Sequence, residues 1–248
     1  MGEGRPRITV RTGFSHAAVE FEVRVANPTS APIRNIAVRP TPVPAGASLD
    51  RARHRITMLP PKQVRVLQFR LRPRPRDRVV AVDVTVDWDQ PGGEGRGRFT
   101  TSSPPLALGL PGLRAPSASG DAWHSRLRMG VAVEVRLRAA LPVAEAVRAL
   151  ERAASQHLPG ETTSSVDEGP SGPLGTVHVW AEGPHGSRAG LLVEVRGAAS
   201  SDGSRVLLVV SATSDELLTR FYLACVTAMA EALPELEGKV PVSLLEEP

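Results

Sequence analysis

The sequence predicts two domains, an all-β sandwich followed by an α+β domain in which helices pack on an antiparallel sheet. Three observations support this. Apolar residues alternate with polar ones through the first hundred residues, a Pro- and Gly-rich segment follows, and strand-like and helix-like patterns then mix. We place the boundary near residue 113, which gives domains of residues 1–113 and 114–248.

Two segments of the first domain show the clearest strand pattern. Val19 to Val25 alternate with polar or small residues, and Val80 to Trp88 do the same against Asp83, Thr85 and Asp87. Breaks containing Pro, Gly or Asn separate these segments from shorter ones. The shorter strand candidates are residues 8–11, 33–38, 54–58, 64–71 and 97–100. About seven short strands without helical periodicity predict an antiparallel sandwich.

Residues 102–119 form the predicted linker. Its prolines and glycines oppose regular structure, while Leu106, Leu108, Leu110 and Leu113 make it apolar. We therefore expect it to pack against folded domains and not to act as a free tether.

The second domain is predicted to have the order β-α-β-β-β-α. One strand runs over residues 129–137, and after Pro142 a helix extends to about residue 157. A Gly-, Ser- and Pro-rich loop is expected at 159–173, then strands at 176–182, 190–196 and 205–211. Thr213 and Glu216 form a capping-box pattern that opens the last helix, whose buried stripe is Leu218, Phe221, Cys225, Met229 and Ala232.

Charge is distributed unevenly along the chain. Residues 1–114 hold 19 Arg or Lys against 9 Asp or Glu, whereas the remainder holds 11 against 17. The basic segment 51–78 could face an anionic membrane or an acidic partner, or simply present charged outward positions to solvent. Nucleic acid is disfavoured, because the nine aromatic residues form no stacking platform near this segment. The preference for arginine over lysine suggests GC-rich, prokaryotic coding.

The start of the sequence lacks the pattern of a secretory signal, and no apolar run is long enough for a transmembrane helix. The single cysteine, Cys225, cannot form an internal disulfide. We therefore expect a cytoplasmic protein.

Catalytic and metal-binding motifs are not evident. The six histidines are dispersed, and the sequence contains no phosphate-binding loop, zinc-binding helix or nucleophile elbow. Asp83, Asp87 and Asp89 share one strand face but have no surrounding ligand loop, so a solvated face is preferred to a calcium site. Cys225 lies on an apolar helix stripe and is interpreted as core. The prediction is a non-enzyme with no cofactor and no metal.

The candidate partner-binding residues are Trp180, Arg220 and Tyr222. His178, Trp180 and Glu182 share one face of a strand, and Arg220 and Tyr222 flank Phe221 on the last helix. An aromatic side chain with a nearby arginine is a common anchor in peptide recognition. The alternative is that Trp180 lies beneath the helices as part of the core.

The chain resembles the appendage ("ear") of clathrin-adaptor and coatomer large subunits. "VEFEVRVANPTSAPIRNIAVRPTPVP", "ITMLPPKQVRVLQFRLRP" and "VVAVDVTVDWDQPGG" are similar to its immunoglobulin-like sandwich, and "DAWHSRL" with the strands and helices after it is similar to its platform subdomain. The resemblance implies a platform that binds short peptide motifs without catalysis. No helical solenoid precedes the sandwich, which implies a free-standing version.

The function expected from these observations is a non-enzymatic interaction module that binds a peptide or partner protein through its second domain. The expected setting is membrane trafficking or membrane-associated assembly. The basic first domain is expected to add a contact with an anionic membrane. One alternative is a structural or envelope-associated protein without a ligand. Another is an enzyme that uses Asp121, His124 and His178 in a groove between the domains.

Overall fold

A computed structural model of the protein describes residues 5–15, 18–74, 77–90, 95–110, 112–116, 130–170, 172–197 and 203–232. Strands hold 57% of these residues, and two α-helices lie among them, so the fold is mostly β. The chain divides into two compact units, Met1–Gly109 and Leu110–Pro248.

The first unit contains nine described strands in two antiparallel sheets. One sheet has the order β1-β2-β6-β4, and the other has the order β5-β3-β7-β8, with β9 paired to β7. The strands are β1 (Arg7–Ser15), β2 (Ala18–Ala26), β3 (Ile33–Val43), β4 (Ser48–Leu49), β5 (His54–Leu59), β6 (Val64–Arg72), β7 (Val79–Asp89), β8 (Arg96–Ser102) and β9 (Leu106–Ala107).

Alternate side chains of these strands form the core of the first unit. Phe21 of β2 lies directly opposite Phe69 of β6, and both are fully buried. Along β7, Val80 to Trp88 are buried at every second position, as the period-two pattern predicts. All seven predicted strands are present. β4 and β9 were not predicted, since two residues are too few to show a period, and β9 lies inside the predicted linker.

Asn27 follows β2 and fastens the turn that leads to β3. Its Nδ2 group donates to the carbonyl oxygens of Ala31, Leu59 and Pro60, while its Oδ1 accepts from the backbone N–H and hydroxyl of Thr29. Only 1% of the residue is exposed. The Asn-Pro-Thr sequence therefore does more than interrupt a strand, because the side-chain amide of Asn27 hydrogen-bonds the turn to the end of β5.

The second unit contains a five-stranded antiparallel sheet and two helices, α1 (Val143–His157) and α2 (Asp215–Ala232). The order across the sheet is β10-β14-β13-β12-β11. None of the helices in the described residues is long and apolar enough to cross a membrane. The strands are β10 (Val131–Ala139), β11 (Glu161–Gly169), β12 (Gly172–Glu182), β13 (Arg188–Gly197) and β14 (Ser204–Ala212).

The predicted loop at residues 159–173 is wrong. Residues Glu161–Gly169 form β11, which pairs with β12 at the edge of the five-stranded sheet, so the order of the described elements is β-α-β-β-β-β-α. An edge strand with both faces mostly exposed needs no apolar alternation, and its polar Thr and Ser residues conceal it from a hydrophobicity pattern.

The cap of α2 also differs from the prediction by one residue. The hydroxyl of Ser214, not of Thr213, accepts the backbone N–H of Leu217 at 3.3 Å. The Thr213 hydroxyl instead accepts the backbone N–H of Arg188 at 3.1 Å. Thr213 thus connects the end of β14 to the start of β13, and Ser214 caps α2 in its place.

Both helices pack on the same face of the sheet, which we call the helix face. Its core includes Val177 and Val179 of β12, Leu150 of α1 and Phe221 of α2. α1 lies very close to β12 at Gly175, where an added Cβ would overlap Cγ2 of Val147 and lie 3.1 Å from Cγ1 of Val143. Glycine at this point is what allows the helix to lie against the strand.

Candidate partner-binding face

The face of the five-stranded sheet opposite the helices is the candidate site, and we call it the open face. In β12, β13 and β14 the side chains of Val179, Val193 and Leu208 belong to the core beneath the helices, so their strand neighbours project from the other side. The open-face residues include Ala132, Glu134, Arg136 and Arg138 of β10; Arg205, Leu207, Val209 and Ser211 of β14; Arg188, Gly190, Leu192, Glu194 and Arg196 of β13; Leu174, Thr176, His178, Trp180 and Glu182 of β12; and Glu161, Thr163, Ser165 and Asp167 of β11.

An apolar stripe crosses the centre of the open face. Leu192 lies directly opposite Val209, and Leu207 is the next open-face residue of β14. All three are half-buried. A depression of about 810 Å³ adjoins the stripe and is lined by Arg136, Leu137, Arg138, Glu194, Arg196, Arg205, Val206 and Leu207.

Two of the arginines around this depression are held by glutamates on their own strands. Arg136 Nη2 lies 2.9 Å from Glu134 Oε1, and Arg196 Nη2 lies 3.0 Å from Glu194 Oε2. These pairs are exposed, so each contributes at most about 1 kcal/mol to stability. Their main effect is to balance part of the positive charge on this face.

Trp180 is buried on the open-face side of the sheet. It alternates with Val179 and Ala181, which belong to the core beneath the helices, and its ring centroid lies 5.6 Å from that of His178. Only 6% of Trp180 is exposed. The assignment of His178 and Trp180 to one strand face is confirmed. The alternative was right that Trp180 is a buried core residue, but wrong that it lies beneath the helices.

Arg220 and Tyr222 lie on α2, on the other side of the sheet. Arg220 Nη2 pairs with Glu216 Oε1 at 2.6 Å, one helical turn away. Tyr222 packs against the core of the helix face, where burial, with a smaller effect of Cys225, raises its pKa. The five-stranded sheet therefore separates Trp180 from Arg220 and Tyr222, and the three predicted residues do not line one pocket.

Cys225 is fully buried on α2 in the same core. Burial disfavours the thiolate and raises the pKa of the thiol well above its ordinary value. The geometry is that of a packed side chain and not of a nucleophile.

At pH 8, we expect Cys225 to react with 5,5′-dithiobis(2-nitrobenzoic acid) at least about 100-fold more slowly in the native protein than in 6 M guanidinium chloride. In the native protein the thiol is mostly protonated and is shielded from the reagent. Absorbance at 412 nm measures the rate. Rapid stoichiometric labelling of the native protein would show instead that the second unit opens at Cys225.

The aspartate row of β7 is an ion-paired face. Asp87 pairs with Arg39 and with Arg98, the latter at 2.6 Å, and Asp89 pairs with Arg96 at 3.6 Å. Within the described ranges, no three His, Cys, Asp or Glu side chains are grouped in a way that could hold a metal ion.

Several arginines of the first unit are likewise neutralised. Arg70 pairs with Glu20 at 3.1 Å, and Arg74 pairs with Asp77 at 3.2 Å. Arg51, Arg53 and Arg55 are exposed. The contact of the basic segment with an anionic membrane stays a prediction.

Of the residues named for the alternative enzyme, His178 lies on the open face beside Trp180. Asp121 and His124 lie outside the described residues.

The open-face arginines were missed by the sequence reasoning. A signal was available, because Arg136 and Arg138 alternate with Val135 and Leu137, and Arg196 and Arg205 follow the same parity in their own strands. What the sequence could not provide is the register that places residues 138, 205 and 196 side by side.

Comparisons with known proteins do not identify a family. No protein family model matches the chain, and no curated protein matches it. Among solved structures, the chain is similar to a GH20 exo-β-N-acetylglucosaminidase from Vibrio harveyi in complex with N-acetylglucosamine, with 8% identity and a TM-score of 0.26. The match covers 86% of this chain and 40% of the glycosidase chain, so this chain spans less than half of that protein. A TM-score this low supports no conclusion about fold or activity.

Proposed function

We propose that the protein is a non-enzymatic interaction module that binds a partner protein or peptide through the open face of its second unit. The observation that supports this is an apolar stripe on the face of the sheet that the two helices do not cover. Both helices pack on the helix face, whereas the open face presents half-buried apolar side chains beside exposed arginines. An apolar surface rimmed by charged residues is typical of a protein-binding site.

In this proposal the apolar stripe supplies the binding free energy. Leu192, Leu207 and Val209 are adjacent across β13 and β14, so a partner side chain placed on them removes a continuous apolar area from water. His178 lies on the same face toward β11, whereas Trp180 beside it is buried and adds almost no accessible surface to the proposed site. Arg220 and Tyr222 are left out of the proposed site, since they lie on the other side of the sheet.

The strand orders support the finer fold assignment that accompanies this function. In the first unit β2 is adjacent to β6 and β3 is adjacent to β7, with the two pairs in different sheets, as in immunoglobulin-like sandwiches. In the second unit two helices cover one face of an antiparallel sheet, as expected for a platform-like domain. We propose this two-domain, appendage-like arrangement on that basis.

Leu207→Asp should weaken binding of the natural partner at least about 10-fold, because it places a charge in the centre of the apolar stripe. The purified protein would serve as bait in lysate of the native cell, captured proteins would be identified by mass spectrometry, and affinities would be measured with the purified partner. The position is half-buried on the open face, and circular dichroism should show a folded variant.

Val166→Asp is the matched control. Val166 is 43% exposed on β11 and belongs to the opposite face, so the same change in charge should leave binding intact. Partner binding that survives Leu207→Asp would contradict the proposed site. No specific capture at all would favour a structural role without a ligand.

A further inference from the structure

Three arginines stand side by side across the open face. Arg138 of β10 is directly opposite Arg205 of β14, and Arg205 is directly opposite Arg196 of β13. Adjacent strands are about 4.8 Å apart, so the row spans about 10 Å. Like charges directly opposite one another in a sheet are unfavourable. We call this set the arginine row.

Two members of the row have no acidic partner in the part of the chain that the structure describes. Arg196 is paired with Glu194, and the adjacent Arg136 is paired with Glu134. Arg138 and Arg205 are exposed and make no ion pair with any described residue. The repulsion between these two side chains would be relieved by an anionic group bound between them.

We propose that the arginine row binds the carboxylates of an acidic, extended segment of the partner protein. This inference rests on the proposed function and adds to it the chemistry of the partner. Because arginine is planar and always charged, Arg138 and Arg205 can each hold a carboxylate through two N–H groups.

Charge complementarity favours an acidic polypeptide over a polyphosphate or a lipid surface. Immediately around the depression, four arginines lie beside Glu134 and Glu194, which leaves a local excess of two positive charges. Two carboxylates balance that excess. A nucleic acid or an anionic bilayer would bring many more negative charges against the same two glutamates.

The apolar stripe sets the spacing of the segment. Along β14, Arg205, Leu207 and Val209 occupy successive open-face positions, about 7 Å apart. An extended peptide has the same spacing between alternate side chains. A segment lying along β14 therefore carries acidic residues at one end and apolar residues at the next two alternate positions, matched to Leu207 and Val209.

The test uses the full chain and fluorescein-labelled decapeptides that carry two Glu residues followed by Leu at alternate positions, with Gln replacing Glu in the matched peptides. We expect the Glu peptides to bind and the Gln peptides to bind at least 10-fold more weakly, by fluorescence anisotropy. The double variant R138Q/R205Q should lose at least 10-fold in affinity for the Glu peptides. Raised salt should weaken wild-type binding.

R148Q/R152Q is the control, since Arg148 and Arg152 are exposed on α1, away from the open face. It removes the same charge and should bind the Glu peptides as the wild type does. R138Q/R205Q relieves the repulsion within the row, so it should unfold no more easily than the wild type in urea.

The inference would be overturned if Glu and Gln peptides bound equally or if no peptide bound. It would also be overturned if the protein bound phosphatidylserine vesicles through Arg138 and Arg205 but bound no peptide. The proposed function is judged separately. If the captured partner binds R138Q/R205Q normally but is lost with Leu207→Asp, only the acidic chemistry is wrong. If neither change affects the partner, the proposed function fails as well.

Discussion

Asn27→Asp should lower the free energy of unfolding of the first unit by about 4 kcal/mol at pH 7. The substitution conserves shape but replaces an amide that donates to Ala31, Leu59 and Pro60 with a carboxylate that faces their carbonyl oxygens. The lost hydrogen bonds and the burial of an unpaired charge both oppose folding. Urea denaturation followed by far-UV circular dichroism measures the change.

The pH dependence of this variant gives an independent check. Burial and the surrounding carbonyl oxygens disfavour the ionised form, so the pKa of the introduced carboxyl should be higher in the folded than in the unfolded protein. Stability is then greatest where the carboxyl is protonated and is lost as pH rises through the folded-state pKa. We therefore expect the deficit relative to wild type to be smaller at pH 4 than at pH 7.

Gln63→Glu is the control for this substitution. It makes the same amide-to-carboxylate change at an exposed position whose backbone carbonyl accepts the N–H of Asn27. We expect a change below about 0.5 kcal/mol. A deficit below about 1 kcal/mol for Asn27→Asp that does not vary with pH would contradict the role given to the amide.

The positions of the seven longer strands in the first unit could be predicted because apolar and polar residues alternate along them. In β2 and β7 apolar residues occupy every second position without interruption. The sequence therefore shows both where each strand lies and which of its side chains face the core. The same reasoning failed for β11, where Thr163, Ser165 and Asp167 lie on an exposed edge strand and no burial imposes a pattern. Polar edge strands are the elements that hydrophobic periodicity detects least.

The candidate site was harder to predict than the fold, because it depends on register and on which face the helices cover. The sequence correctly grouped His178 with Trp180 but could not show that the helices lie on the other side. Tyr222 then falls on the wrong side of the sheet to join them. The arginine row needs three strands in a particular register, which is set by long-range packing.

The close approach of α1 to β12 should make Gly175 intolerant of a side chain. Gly175 does not have a positive φ, so backbone strain does not forbid alanine there. On conformational entropy alone, Gly175→Ala would stabilise the protein by about 0.4–1 kcal/mol. The overlap of the new Cβ with Val147 acts in the opposite direction, and a rigid, β-branched valine cannot rotate away from it easily.

We expect the overlap to dominate, with Gly175→Ala destabilising the second unit by about 2–3 kcal/mol and Gly175→Val by more. Val147→Ala should recover much of the loss when combined with Gly175→Ala, although alone it destabilises by creating a cavity. Urea denaturation of the four proteins of this cycle gives a coupling energy, expected to be above about 1 kcal/mol. If Gly175→Ala stabilised the protein, or if the effects of the two changes were additive, α1 would not contact β12 at Gly175. The packing described for the helix face would then be wrong.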